Sequence, residues 1–465
     1  MTTMPRTRTL ALAAFLLLAT AVAPAQRAPA SEKVVVRIDT AKTIQESLTE
    51  SPDSRSVAFV TRSGVRQAVV VRGQKEKDYD GIGTGGVVFS ADARRYAYLV
   101  KDGAKFRVVA DGREGAGYDG LGTDPVFSAD GKHLAYVARM AAQQFVVLDG
   151  KELKRYDGIG MRGPVFSPDG KRLAYVAKAA NGVRVVVDGK EGKSFDMING
   201  NTIVFSPDGR KFAYVGVRGS AARVVVDGKE HPFATNPDGA PVFSPDSRHL
   251  AYVGAEGGKA FIVFDEKKGA PYANVADGSL RFSDDSRHFA FMANADGLWY
   301  AIVDSKRRGG HENIGVSTLK FSPDGKRFAY VAISGAKQFL VIDGKDQRYY
   351  DGIPEGNPVF SPDGTRYAYV AKNGPGWVLV QDGKELAPLE NYGGESLSFS
   401  PDGKHLVCVA LTRSGMSVMV DGVLGNAYDV ILMRRGGKIR FDSPATFHYL
   451  AARDNVISLV EERLR

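Results

Sequence analysis

A serine recurs along this chain at positions 51, 90, 128, 167, 206, 244, 283, 322, 361 and 400, so the intervals are always 38 or 39 residues. Five of these serines sit in Phe-Ser-Pro-Asp-Gly, at 166–170, 205–209, 321–325, 360–364 and 399–403. The others sit in variants such as Ser51-Pro52-Asp53 and Ser128-Ala129-Asp130. A degenerate eleventh copy begins at Phe441-Asp442. A period this regular demands a repeat architecture and leaves no room for an inserted domain or linker. With 43% hydrophobic and 25% charged residues in 465, the chain can bury a large core and is not of disordered composition.

Each repeat reads as four short strands. In the copy from Pro164, strand a covers 164–167. Ser167-Pro168-Asp169-Gly170 then makes a turn, because Pro fixes φ, Asp bonds its own backbone and Gly accepts positive φ. Strand b covers 172–177, Ala180-Asn181-Gly182 is a small loop, and strand c covers 183–187. Asp188-Gly189 signals a hairpin to a short strand d ending near Phe195. Strands b and c are apolar on both faces, so neighbouring copies must cover them. Four-stranded units of about 40 residues, stacked face to face, are the blades of an all-β propeller. A β-solenoid is the competing repeat fold, but its coils are usually shorter and lack Asp-Gly hairpins.

The last copy supplies strands a (438–441), b (447–451) and c (456–460) but no strand d. An orphan strand at 34–38 precedes the first strand a near 44–48. Together they would make one shared blade that closes the sheet edges. Eleven blades exceed the usual four to eight. Two fused propellers, split 5+6, would answer that, and the copies between 255 and 316 are the most eroded. There Asp265-Glu266-Lys267-Lys268 and Asp304-Ser305-Lys306-Arg307 replace the Asp-Gly hairpin. Spacing is undisturbed across them, which favours a single ring.

Arg6 and Arg8 precede an apolar run over 10–23, too short to span a bilayer, followed by Ala23-Pro24-Ala25. This pattern predicts a signal peptide over 1–25 cleaved after Ala25, with Ala28-Pro29-Ala30 as a second site and an uncleaved anchor as the alternative. No Cys follows the run, so a lipid anchor is not expected, and no later stretch predicts a membrane span. Residues 26–33 are expected to be flexible and 34–465 to form the propeller. The expected location is periplasmic or secreted. Cys408 is the chain's one cysteine, which excludes an intrachain disulfide.

The phrase Phe-Ser-Pro-Asp-Gly-Lys-Arg-Leu-Ala-Tyr at 166–175 resembles the WD40-like repeat of the TolB type, and the resemblance covers 40–465. It implies a periplasmic propeller that binds envelope proteins or lipoproteins. Two departures stand out: the TolB family has six blades and an N-terminal α/β domain, for which no room remains here.

A search for chemistry returns mostly negatives. His133, His249, His288 and His405 occupy the strand-b place of Arg172 and Arg327, which suggests a surface rim. No Gly-x-Ser-x-Gly elbow is present. Cys408 takes a strand-b core place. An acid in every first turn, from Asp53 to Asp402, suggests calcium, but one Asp per blade spreads the ligands around a ring, and turn capping is the better reading. The channel is expected to begin at Val87, Pro125, Pro164, Thr202, Pro241, Leu280, Thr318, Pro358, Ser396 and Lys438, where no acidic cluster appears. No cofactor or metal is expected.

One face of the propeller collects Lys171, Arg172, Lys190, Arg210, Lys211, Lys326 and Arg327, alternating with acids. The other carries Tyr-Asp-Gly-Ile/Leu at Tyr79-Asp80, Tyr118-Asp119, Tyr156-Asp157 and Tyr350-Asp351. An aromatic beside a carboxylate on a loop suits a sugar or peptide. The same pair also suits packing on the outer strand and turn formation. Departures from the repeat on that face are Met161-Arg162, Pro354-Glu355 and Met433-Arg434-Arg435. The net charge of +9 comes without a base-stacking platform, so nucleic acid is not an expected partner. Two functions follow: a non-catalytic exported scaffold for an envelope protein, or a propeller binding peptidoglycan, another saccharide or a small ligand, or an unrecognised hydrolase.

Overall fold

The computed structural model describes residues 27–236, 239–433 and 438–464. The expected signal peptide therefore lies outside the described residues. The rest is all-β, with eleven four-stranded antiparallel blades in a ring. Blade 4 shows the pattern: strand b Leu173–Ala179, strand c Gly182–Val187 and strand d Lys190–Glu191. Strand a is split in two, Gly158–Ile159 and Val165–Phe166, and both halves pair with strand b.

The a–b turn forms as its residues dictate. Ser167 Oγ donates to Asp169 Oδ1 at 2.6 Å and accepts the Arg172 amide at 3.0 Å. Asp169 also accepts the Lys171 amide at 3.2 Å. Gly170 has φ +72°, and a Cβ there would lie 2.8 Å from Asp130 Oδ1 of the preceding blade. Glycine is thus needed for both the turn and the close packing of adjacent turns. The Ser-to-Asp bond recurs in ten blades.

Blades are held face to face by apolar side chains from strands b and c. Each of the eleven blade-to-blade interfaces contains its own cluster of buried residues. The eleventh joins Val57 and Phe59 of blade 1 to Leu432, Leu450 and Ile457 of blade 11. One closed ring of eleven is therefore the arrangement, and the 5+6 split is not. The eroded copies cause no break. Asp265 and Glu266 turn at φ 45° and 67°, and Asp304 and Ser305 at 47° and 65°, so the hairpin keeps its hand without glycine. The sheets of blades 5 and 6 even join, through Thr235 opposite Gly254.

Blade 11 is built from both ends of the chain. Strand Ser31–Arg37 pairs antiparallel with Val456–Arg463 and supplies the missing strand d. It starts earlier than the expected 34–38, and within the segment expected to be flexible Arg27, Ala30 and residues 31–33 are tied down. Arg27 donates its amide to the Leu424 carbonyl and ion-pairs with the buried Glu462. Register explains why the strand fits. Glu32 lies opposite Val460, as Glu191 lies opposite Val186 in blade 4.

Candidate functional site: the ring of strand-a bulges

Strands a of adjacent blades pack directly against one another, as 43–50 does against 81–89, so strand a lies at the axis and lines the central channel. Between its two halves the strand bulges. A bulge strips strand b of a hydrogen-bond partner. In six blades a side-chain oxygen replaces it: Ser47, Thr202, Ser279, Thr318, Asn357 and Ser396 accept the amides of Val60, Val215, Met292, Val331, Val370 and Val409 at 2.8–3.0 Å. Thr202, Thr318 and Ser396 were expected to open the channel. They are buried instead, because they plug these amides.

The exposed residues of the bulges are what the channel presents. Met161 is 95% exposed. Arg162 beside it donates Nη1 to Asn201 Oδ1 of the next blade at 3.0 Å. Glu355 is exposed, as are Glu46, Asp124, Asp277 and Glu395 on other blades. Contacts run round the axis from bulge to bulge: Asn236 Nδ2 donates to Asp277 Oδ2 at 2.6 Å, and Lys320 Nζ to the Gly356 carbonyl at 2.6 Å. Below the bulges, blades 2 to 6 carry Val88, Val126, Val165, Val204 and Val242, whereas blades 7, 8 and 11 carry Arg281, Lys320 and Arg440 at that position. Burial holds Arg281 and Lys320 below the usual range of their groups.

The structure thus brings Met161, Arg162 and Glu355 into one ring, although the sequence reading spread them over an end face. Arg434 and Arg435, placed with them by sequence, lie outside the described residues. Sequence reasoning missed Glu46, Asp124, Asn201, Asp277 and Glu395. Their signal was available in the register, four to six residues before each turn serine. Among the described residues no group of three His, Cys, Asp or Glu side chains is placed to hold a metal ion.

The Tyr-Asp motif lies elsewhere. Tyr79, Tyr118, Tyr156 and Tyr350 are buried between blades. Three of them donate their hydroxyls to a glutamate of the next blade: Tyr79 to Glu114 at 3.0 Å, Tyr156 to Glu191 at 3.0 Å and Tyr350 to Glu385 at 3.1 Å. Tyr428 does the same to Glu32 of the N-terminal strand at 3.2 Å. The aspartates cap the b–c turns. Asp80 accepts the Gly103 amide at 2.7 Å, Asp119 the Ala141 amide at 2.8 Å and Asp351 the Gly374 amide at 2.6 Å. Asp157 is exposed at the matching place.

The charged rim is likewise committed to structure. Arg172 Nε donates to Asp188 at 2.9 Å, and its Nη1 donates to the Arg210 carbonyl of the next blade at 2.6 Å. His133, His249, His288 and His405 stand at that place and reach the equivalent aspartates at 2.6–2.7 Å. Cys408 is buried, and burial pushes its thiol up to about 12.

No protein-family model matches the chain, and no curated protein matches it either. Solved structures similar to it include a eukaryotic initiation factor, at 14% identity and a TM-score of 0.40, with 71% of this chain and 94% of that one covered. TolB from Acinetobacter baumannii is similar at 18% identity and a TM-score of 0.25, with 47% and 59% covered. The β-propeller domain of the Trilobed protease from Pyrococcus furiosus is similar at 15% and 0.28, with 57% and 96% covered. At these values the likeness carries no argument about function. The propeller assignment stands on the eleven blades and their pairing.

Proposed function

We propose that this protein is an exported, non-catalytic scaffold whose channel-lining bulges hold a protein of the cell envelope. One observation carries the reading. The polar side chains that repeat from blade to blade cap turns or strap blades together, while the exposed residues of the bulge ring differ from blade to blade, at Met161, Arg162, Asn201, Asp277, Glu355 and Glu395. A surface that varies blade by blade inside an invariant frame suits recognition of one irregular partner. The leader-like sequence over 1–25 supports an exported location.

A photoreactive residue placed at Met161 tests this in cell-envelope extract, with a second at the outer, exposed Tyr349 as control. The expected result is one envelope protein captured from Met161 and not from Tyr349, with capture reduced at least tenfold by Glu355→Arg. Identical background from both positions would remove the reading.

A further inference from the structure

The three C-terminal strands of blade 11 meet blade 1 only through non-covalent contacts, and two ionisable groups lie at that junction. Ten blades carry a phenylalanine before the first-turn serine or its equivalent, from Phe89 to Phe441. Blade 1 carries Glu50 instead. This side chain is 3% exposed, and neither carboxyl oxygen has a hydrogen-bond partner among the described residues. Arg440 of blade 11 is the charge that faces it, yet the two form no ion pair, and Arg440 Nε is itself unbonded.

His448 of blade 11 is the second group. Its Nδ1 lies 2.7 Å from Asp442 Oδ2, and its Nε2 lies 2.8 Å from the Asp53 carbonyl of blade 1. Both partners accept hydrogens. Arg55 Nη2 of blade 1 also lies 3.5 Å from Nδ1, so His448 joins the two blades through Asp442, Asp53 and Arg55 together. Arg55 of blade 1 reaches across to Asp442 at 2.7 Å. Arg440 and Glu461 flank His448 in register on the adjoining strands.

We infer that the junction of blades 11 and 1 is a proton-sensitive clasp, closed while Glu50 keeps its proton and loosened when that proton passes to solvent. An ionised Glu50 would be a buried charge without an ion-pair partner. Burial raises Glu50 from its ordinary 4.5 to about 9, against the opposing pull of Arg440. A raised carboxyl contributes fully to closure below about pH 4.5, and its contribution is lost as pH rises towards 9.

Amide exchange at pH 6 and pH 8.5, corrected for intrinsic rates, tests the clasp on the intact mature chain. Peptides over 43–60 and 438–453 report the junction, and peptides over 126–140 and 165–179 report the ordinary side-chain contact of blades 3 and 4. Protection at the junction is expected to fall at least tenfold relative to the control pair. In Glu50→Gln, which is neutral at both pH values, the fall is expected to be under threefold. Should that variant not fold, Glu50→Phe, which copies the other blades, serves the same comparison. Equal falls in the wild type and the variant, or no fall in the wild type, would overturn the clasp.

Discussion

At the scale of single residues, the first-turn aspartates set the acid limit of this protein. In nine turns, from Asp92 to Asp402, the carboxyl is held below its usual range, first by the hydroxyl of the turn serine and then by a backbone amide. Asp130 is lowered to about 2. A depressed carboxyl stabilises the fold above its unfolded value near 3.8 and loses that effect as pH falls towards 2. We expect a melting temperature that does not fall between pH 6 and 4 and falls steeply between about pH 4 and 2. A fall that is complete above pH 4 would show that other groups set the limit. Ser167→Ala removes the hydroxyl that serves both Asp169 and the Arg172 amide, and should cost about 1–3 kcal/mol in denaturant titration. The capping role was legible in Ser-Pro-Asp-Gly because turn chemistry is local. The role of Tyr-Asp was not. Tyrosine beside aspartate suits a ligand or a core, and which holds depends on a glutamate 35 residues away in the next blade.

Among elements, the strap from strand b decides how blades are spaced at the rim. Arg172 joins its own c–d hairpin to the turn of the next blade by hydrogen bonds, whereas the side chains of the four histidines hydrogen-bond only to their own hairpin. Arg172→His should therefore keep the bond to Asp188 and cost about 0.5–1 kcal/mol, and Arg172→Ala about 1–2 kcal/mol. Equal costs would mean that the Asp188 contact contributes nothing. Strands b and c were legible because they are apolar on both faces. The splitting of strand a was not. Its middle is rich in glycine and proline, and it contributes few side chains to the core, so no hydrophobic period marks it. That is why Met161 and Glu355 read as end-face loops, although they line the channel.

For the whole molecule, the blade number was written in the repeat count, and closure in the orphan strand at the N-terminus. The pairing that makes closure specific was hidden, since Tyr428 and Glu32 are 396 residues apart. That pairing makes strand 31–37 the piece on which the ring depends. Without it, Val456–Arg463 becomes an open edge lined by unpaired amides and carbonyls, and Tyr428 loses its acceptor. Open edges recruit strands from other copies. Deleting 27–37 from the mature chain should therefore turn a monomer into concentration-dependent oligomers, followed by light scattering after size exclusion. A synthetic peptide spanning 27–38 should restore the monomer, because it supplies the same strand in the same register. Its Glu32→Val variant should bind about tenfold more weakly, through loss of the tyrosine bond. A shortened chain that stays monomeric with an unchanged melting temperature would mean that the eleven side-chain interfaces close the ring without the shared blade.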